Sequence, residues 1–205
     1  MIPEVDRLIA SHKEIRNGKK GPDPHNAILK SSIIFLCATW ELYCESVLIE
    51  SVKKIVESNT APDNLPDALK VQLRLAVHDE NVFKSTPLKL AGSGWKGVLV
   101  DCVKGSCDRF NTPKPKPLDE LFKKCIGLKN VSAHWTHGAE EVDKFVRLRG
   151  EIAHRGTDSR NVSRATATHY KSVISKAIRD TDDTIYDYLK KPNLLGKAPW
   201  QKTKK

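Results

Sequence analysis

The sequence predicts an all-α fold, a helical bundle built round one long central helix with extra short helices. Three observations carry that prediction. No segment gives a convincing strand pattern. From His25 to about Glu57 the chain runs without a glycine or proline, long enough for many helical turns. Helix punctuation also falls where the helical segments end, with Asn17-Gly18, Gly127 and Gly156 as stops and Ser163 as a start.

Taken in order, Pro3 to about Arg16 reads as an opening helix, stopped by Asn17-Gly18 and the Lys19-Lys20-Gly21-Pro22 loop. Asp23-Pro24 then offers an N-cap and a first-turn proline for the long helix. Its first half, through Cys44, is apolar on nearly every side, which predicts a buried position at the centre of the bundle. Asp63 to about Ala76 reads as a third, amphipathic helix. Residues 77–93 are ambiguous, with a break at Ser85-Thr86-Pro87. Trp95 to Phe110 is expected to be helical despite Gly97 and Gly105. The run Asn111-Thr112-Pro113-Lys114-Pro115-Lys116-Pro117 is expected to be a loop or extended connector, since proline lacks an N–H and restricts its predecessor. Leu118 to Ile126 is a short helix ended by Gly127. Ala139 to Arg155 is another, closed by Gly156, and Ser163 caps a last long helix to about Leu189, stopped by Pro192. A single domain over residues 1–190 is expected, followed by a loose basic tail over 191–205 that carries Lys197, Lys202, Lys204 and Lys205.

Composition narrows the class. The chain has 205 residues, 39% hydrophobic and 29% charged, and a domain of that size buries roughly 70% of the surface its unfolded chain exposes. Disorder as the dominant state is excluded. The most apolar stretch, Ile33 to Cys44, spans 12 residues and contains Glu41, short of the roughly 20 that a membrane span needs. No membrane association is expected. The start, Met1 to Asp6, lacks a basic region followed by an apolar run, and the five cysteines are an odd number. A cytoplasmic protein with reduced thiols is the expectation. The 35 Lys+Arg against 25 Asp+Glu leave a formal net charge of +10. That suits a polyanionic partner such as RNA, because neutralised phosphates release counterions; it equally suits plain solubility.

The helix from Ala139 to Arg155 carries the candidate chemistry. On a wheel of about 100° per residue, Val142, Phe145, Val146, Ile152 and Ala153 form one apolar arc with Arg149 near its middle. An arginine there is costly unless it meets an acid, a partner chain or a ligand. Glu41, the only charged residue between Lys30 and Glu45, supplies an acid in apolar surroundings. Glu41 or Glu45 is therefore expected within ion-pair reach of Arg149. His154 lies about 140° round from Arg149, in the last turn. These features also fit ordinary structure: a buried Arg–Glu tether, an exposed Arg147–Glu151–Arg155 ladder, and a histidine interacting with the helix dipole.

Other candidates are weaker. Cys102 and Cys107 with His134 and His137 lack the Cys-x2-Cys spacing of a zinc site, and Cys125 has no context as a nucleophile. Gly92-Ser93-Gly94 is not followed by the Gly-Lys-Ser/Thr of a phosphate loop. Asn161-Val162-Ser163 matches a glycosylation acceptor, which carries no weight without a secretion signal. Trp40 is expected in the core. Trp95, Trp135 and Trp200 suit core or interface packing more than base stacking. Lys114, Lys116 and the tail lysines are solvated or touch RNA.

The segment Leu148-Arg149-Gly150-Glu151-Ile152-Ala153-His154-Arg155-Gly156 resembles the signature of the HEPN superfamily (higher eukaryotes and prokaryotes nucleotide-binding), an Arg followed four to six residues later by His. Three further pieces fit in order. Trp40-Glu41 looks like the Trp-Glu of the RiboL-PSP-HEPN branch. Phe110-Asn111-Thr112-Pro113, with Leu121-Phe122 and Gly127-Leu128, looks like its connector, and a long final helix follows. The resemblance covers roughly residues 25–190. One position departs from it: the residue after the Arg is usually Asn, Asp or His, and here it is Gly150.

The resemblance implies a helical bundle that dimerises with two Arg-x4-His helices facing each other, and a metal-independent endoribonuclease without a cofactor. Arg149 would hold the scissile phosphate and His154 would act as acid or base. Glu41, Glu45, Gly150 and Glu151 would support the site, and Arg147 and Arg155 would contact RNA. A defence or toxin–antitoxin setting, with an antitoxin or sensor protein as partner, is implied as well. Two alternatives stay open: a non-catalytic module that binds a nucleotide, RNA or protein, and an oligomerising helical scaffold.

Overall fold

The computed structural model describes residues 2–19, 21–78 and 87–202. Among these are eight α-helices and no strand: α1 (Ile2–Arg16), α2 (Asn26–Ser58), α3 (Asp67–His78), α4 (Pro87–Leu90), α5 (Gly94–Cys107), α6 (Pro115–Ile126), α7 (Ala139–Arg155) and α8 (Arg164–Leu189). Helix α2 is the hub, packed against α1, α5, α6, α7 and α8. Its Leu29, Ile33, Leu36, Cys37, Trp40, Cys44 and Leu48 are at most 1% exposed. By length and composition α2 is apolar enough to cross a membrane, and half of its most apolar window is buried inside this bundle.

Burial of α2 is nevertheless one-sided, against expectation. Ile34, Phe35 and Leu42 are 40–47% exposed, and with the exposed Ala38 they form a stripe at helical spacing. Five neighbouring helices cover the rest of the circumference and leave this face bare.

Element starts also move, each for a local reason. The N-cap of α2 is His25, and Asp23 is occupied elsewhere: its carboxylate meets His12 Nε2 at 2.8 Å and accepts the His25 N–H at 3.1 Å. Burial pushes the Asp23 carboxyl up, but the bonds from His12, Asn26 and His25 hold it below its ordinary value. A 3-10 turn over Pro62–Asn64 occupies the expected start of α3, whose first turn closes on the Pro66 carbonyl. Part of the expected break in the 77–93 region, Ser85-Thr86, lies outside the described residues, and Pro87 opens α4.

Pro115 and Pro117 are not connector residues. They stand in the first turn of α6, where a missing N–H has no intrahelical partner to lose. Gly127 ends that helix at φ +81°. A Cβ there would come within 3.0 Å of the Tyr188 hydroxyl, which donates to Ile126 O at 2.8 Å.

Aromatic residues join the core of the bundle. Trp40 donates from Nε1 to Pro113 O at 3.1 Å and packs edge-on to Trp135, with centroids 5.5 Å apart. Trp135 in turn donates to Thr181 Oγ1 at 2.8 Å. Trp95 and Trp135 are 3% and 4% exposed, so they are core rather than stacking platforms. The five cysteines are all free. Burial raises the Cys37 and Cys107 thiols to about 11 and that of Cys125 to about 12.

The tail is docked rather than loose as far as residue 202. Leu194 is buried and Trp200 packs on the core. Lys202 meets Asp183 at 2.9 Å and Asp187 at 3.6 Å, and stands 4.4 Å from the Tyr186 ring centroid. Acids at four-residue spacing on α8 supply the counter-charge that holds it.

Candidate functional site

Helix α7 spans Ala139–Arg155 as read from sequence, with Gly138 and Gly156 at its caps, both at positive φ. Its buried face is Val142, Phe145, Val146, Leu148 and Ile152. Ala153 is exposed, so the apolar arc is narrower than expected and Arg149 sits at its edge, half-buried.

Arg149 faces α2. Its positive charge lowers the Cys37 thiol and the Glu41 carboxyl, in both cases against a larger upward push from burial. Glu45 is raised as well, by burial first and then by repulsion from Glu41 and Asp108. The expected ion pair does not form, because no acidic oxygen among the described residues comes within 4.0 Å of the Arg149 guanidinium, and it makes no hydrogen bond there. At the edge of the seam the guanidinium reaches solvent past its own stem, so a counter-ion is not obligatory.

The Arg147–Glu151–Arg155 ladder is also absent. Arg147 turns back to Asp143 at 2.7 Å. Glu151 turns forward, meeting Arg160 Nε at 3.4 Å and accepting the Arg160 N–H at 3.2 Å. Arg155 and His154 are exposed and have no ion pair or hydrogen bond among the described residues. Gly150, Glu151, His154 and Arg155 line an open depression of about 370 Å³. Arg149 lies round the helix from it, with Glu41 and Glu45 beyond. A Cβ at Gly150 would meet nothing within 4 Å, so packing within the chain does not require glycine there.

Residues that sequence reasoning missed fix the segment after His154. Lys30 Nζ donates to Gly156 O at 3.1 Å and to Ser159 O at 3.0 Å. Asn26 Nδ2 donates to Val162 O at 2.7 Å, and the Val162 N–H returns a bond to Asn26 Oδ1 at 3.0 Å. Ser163 then caps α8 by accepting the Thr166 N–H at 3.0 Å. The partners are 126 to 136 residues apart, and no periodicity signals such pairs. Among the described residues no group of three or more His, Cys, Asp or Glu side chains is placed to hold a metal ion.

Among known families, the RiboL-PSP-HEPN model matches the chain over residues 3–187. The chain belongs to the RiboL-PSP-HEPN family. The match takes in α1 as well as the span from residue 25 that the motifs suggested, and reaches the last turn of α8. No curated protein and no solved structure matches the chain. The RiboL-PSP-HEPN membership accounts for the all-α bundle, and the Arg149-x4-His154 segment lies inside the matched region.

Proposed function

We propose that the protein is a metal-independent endoribonuclease, working as a homodimer whose two α7 helices build one cleft. The observation that carries this reading is the state of two side chains on one helix of a RiboL-PSP-HEPN domain. Arg149 and His154 are both accessible and both lack a partner among the described residues. Arginine on a helix seam without a counter-ion suits an anionic ligand, and an unengaged imidazole is free to move a proton.

The chemistry is self-sufficient because RNA brings its own nucleophile. One His154 imidazole takes the 2′-hydroxyl proton as the oxygen attacks the adjacent phosphorus. The second copy's His154, as imidazolium, gives a proton to the departing 5′-oxygen. Arg149 offers a planar fork of donors to the charge growing on the phosphorane oxygens. The products are a 2′,3′-cyclic phosphate and a 5′-hydroxyl. Arg155 rims the depression and Arg147 lies exposed on the same helix, so both are offered to flanking phosphates.

The dimer contact of this proposal lies on the bare face of α2. A twofold contact must be self-complementary, and this face has apolar Ile34, Phe35 and Leu42 beside acids Glu41 and Glu45 and the unpaired Arg149. The free thiols suit a reducing, cytoplasmic setting. An unrestrained ribonuclease harms its own cell, which is the reason for placing it in defence or a toxin–antitoxin pair, with an antitoxin or sensor protein as restraint.

Gly150, where relatives of the motif have a polar residue, favours a second reading: a module that binds RNA or a nucleotide without cutting. Labelled RNA incubated with pure protein and EDTA separates the two. Cleavage by the wild type that Arg149→Ala and His154→Ala both lose supports the enzyme, and each loss is expected at about 10²–10⁴-fold. Binding without cleavage supports the module.

A further inference from the structure

Lys30 and Asn26, on the first turns of α2, have no part in the chemistry above, yet both are spent on the segment that follows His154. Gly156 O lies two residues beyond the imidazole and accepts three donors: Lys30 Nζ at 3.1 Å, Ser159 Oγ at 2.7 Å and the Ser159 N–H at 3.3 Å. Gly156 itself has φ +51° and ψ −117°, a conformation that side chains disfavour. Glu151, which lines the depression, holds Arg160. Asn26 is 7% exposed and closes a two-bond ring on Val162. The 156–162 segment is thus tied at its start, middle and end, by Lys30 and Asn26 of α2 and by Glu151 of α7.

A helix C-terminus normally frays, because its last carbonyls lack partners. His154 stands in that last turn with no partner of its own among the described residues. Nothing on the imidazole holds it, so where it sits depends on the last turn of α7 that carries it.

We infer that Lys30 and Asn26 are positioning residues that fix His154 by bracing the 156–162 segment against α2. The inference rests on the ribonuclease reading, since the brace matters to a reaction only if His154 moves a proton. The brace acts on how often the imidazole is in reach, not on how tightly RNA is held.

The test uses the 205-residue chain as wild type, Lys30→Met, Lys30→Arg and Asn26→Ala. It reads amide hydrogen exchange, the His154 imidazole resonances, and cleavage of a labelled RNA. Lys30→Met is expected to speed exchange at the Ser159, Arg160 and Val162 amides about tenfold, with α2 and α8 amides unchanged. It should broaden or shift the His154 resonances and lower kcat about tenfold with KM changed less than about twofold. Lys30→Arg, which keeps the donors, should restore both. Unchanged exchange and kcat in Lys30→Met, a loss confined to KM, or no rescue by arginine each overturns the inference. If Lys30→Met opens the whole bundle, seen as fast exchange throughout α2, Asn26→Ala decides on the same readouts. A wild type that cuts no RNA sinks the ribonuclease reading; the brace is then judged on exchange and the His154 resonances.

Discussion

Arg149 and Glu41 sense each other's charge without touching. Burial raises the Glu41 carboxyl and the Arg149 guanidinium draws it back, while no acidic oxygen lies within 4.0 Å of that guanidinium among the described residues. Arg149→Ala leaves the burial unopposed, so the Glu41 carboxyl should titrate higher still, as followed by carboxyl carbon NMR.

Stability should follow the same sign. A carboxyl whose folded pKa is raised favours folding fully below the unfolded value, and that contribution is lost as pH rises through the folded value. Glu41→Gln and Glu45→Gln should therefore raise Tm relative to wild type at neutral pH. The gain should vanish as pH falls below the ordinary carboxylate range. Thermal melts across pH check it, and an advantage that grows toward acid pH would contradict it.

Phe35→Glu or Leu42→Glu places a charge on the bare stripe of α2, where each side chain is 40–47% exposed. An exposed site tolerates the change, so folding stability should shift by about 0.5 kcal/mol or less. Light scattering after size exclusion should show a dimer becoming monomeric, with cleavage lost alongside. A variant that stays dimeric excludes this face as the contact.

Trp40→Ala removes a ring that is 0% exposed and strands the Pro113 carbonyl it bonds. Urea unfolding should show a loss of about 3–5 kcal/mol. Trp40→Phe, which keeps most of the ring but not the N–H, should cost about 1–3 kcal/mol.

Gly127→Ala puts a Cβ on a residue at φ +81°, against the Tyr188 hydroxyl at 3.0 Å. About 1–2 kcal/mol should be lost from the left-handed conformation alone. Tyr188→Phe in the same background should recover the contact part of any further loss. A neutral Gly127→Ala would mean that the turn rebuilds.

Local punctuation made much of the fold readable. Helix α7 was legible to its ends because glycines bracket it, and α8 because Ser163 caps it through Thr166. Where two signals competed, the reading slipped. Asp23 resembled an N-cap but is held by His12, and Pro115 resembled a breaker but stands where helices tolerate proline. The bare face of α2 was invisible because apolar periodicity does not say which side has a neighbour. Arg149 was legible as a misplaced charge, but whether an acid meets it depends on side-chain reach across two helices. The Lys30 and Asn26 contacts pair residues more than 120 positions apart, beyond what a single sequence encodes in its spacing.

The open space beside Gly150 makes that position adjustable. A Cβ fits there without meeting a neighbour, and replacing glycine by asparagine or aspartate relieves a penalty of about 0.3–0.5 kcal/mol in the helix. One substitution at this position can therefore change the chemistry beside Arg149 without renegotiating the architecture beneath it.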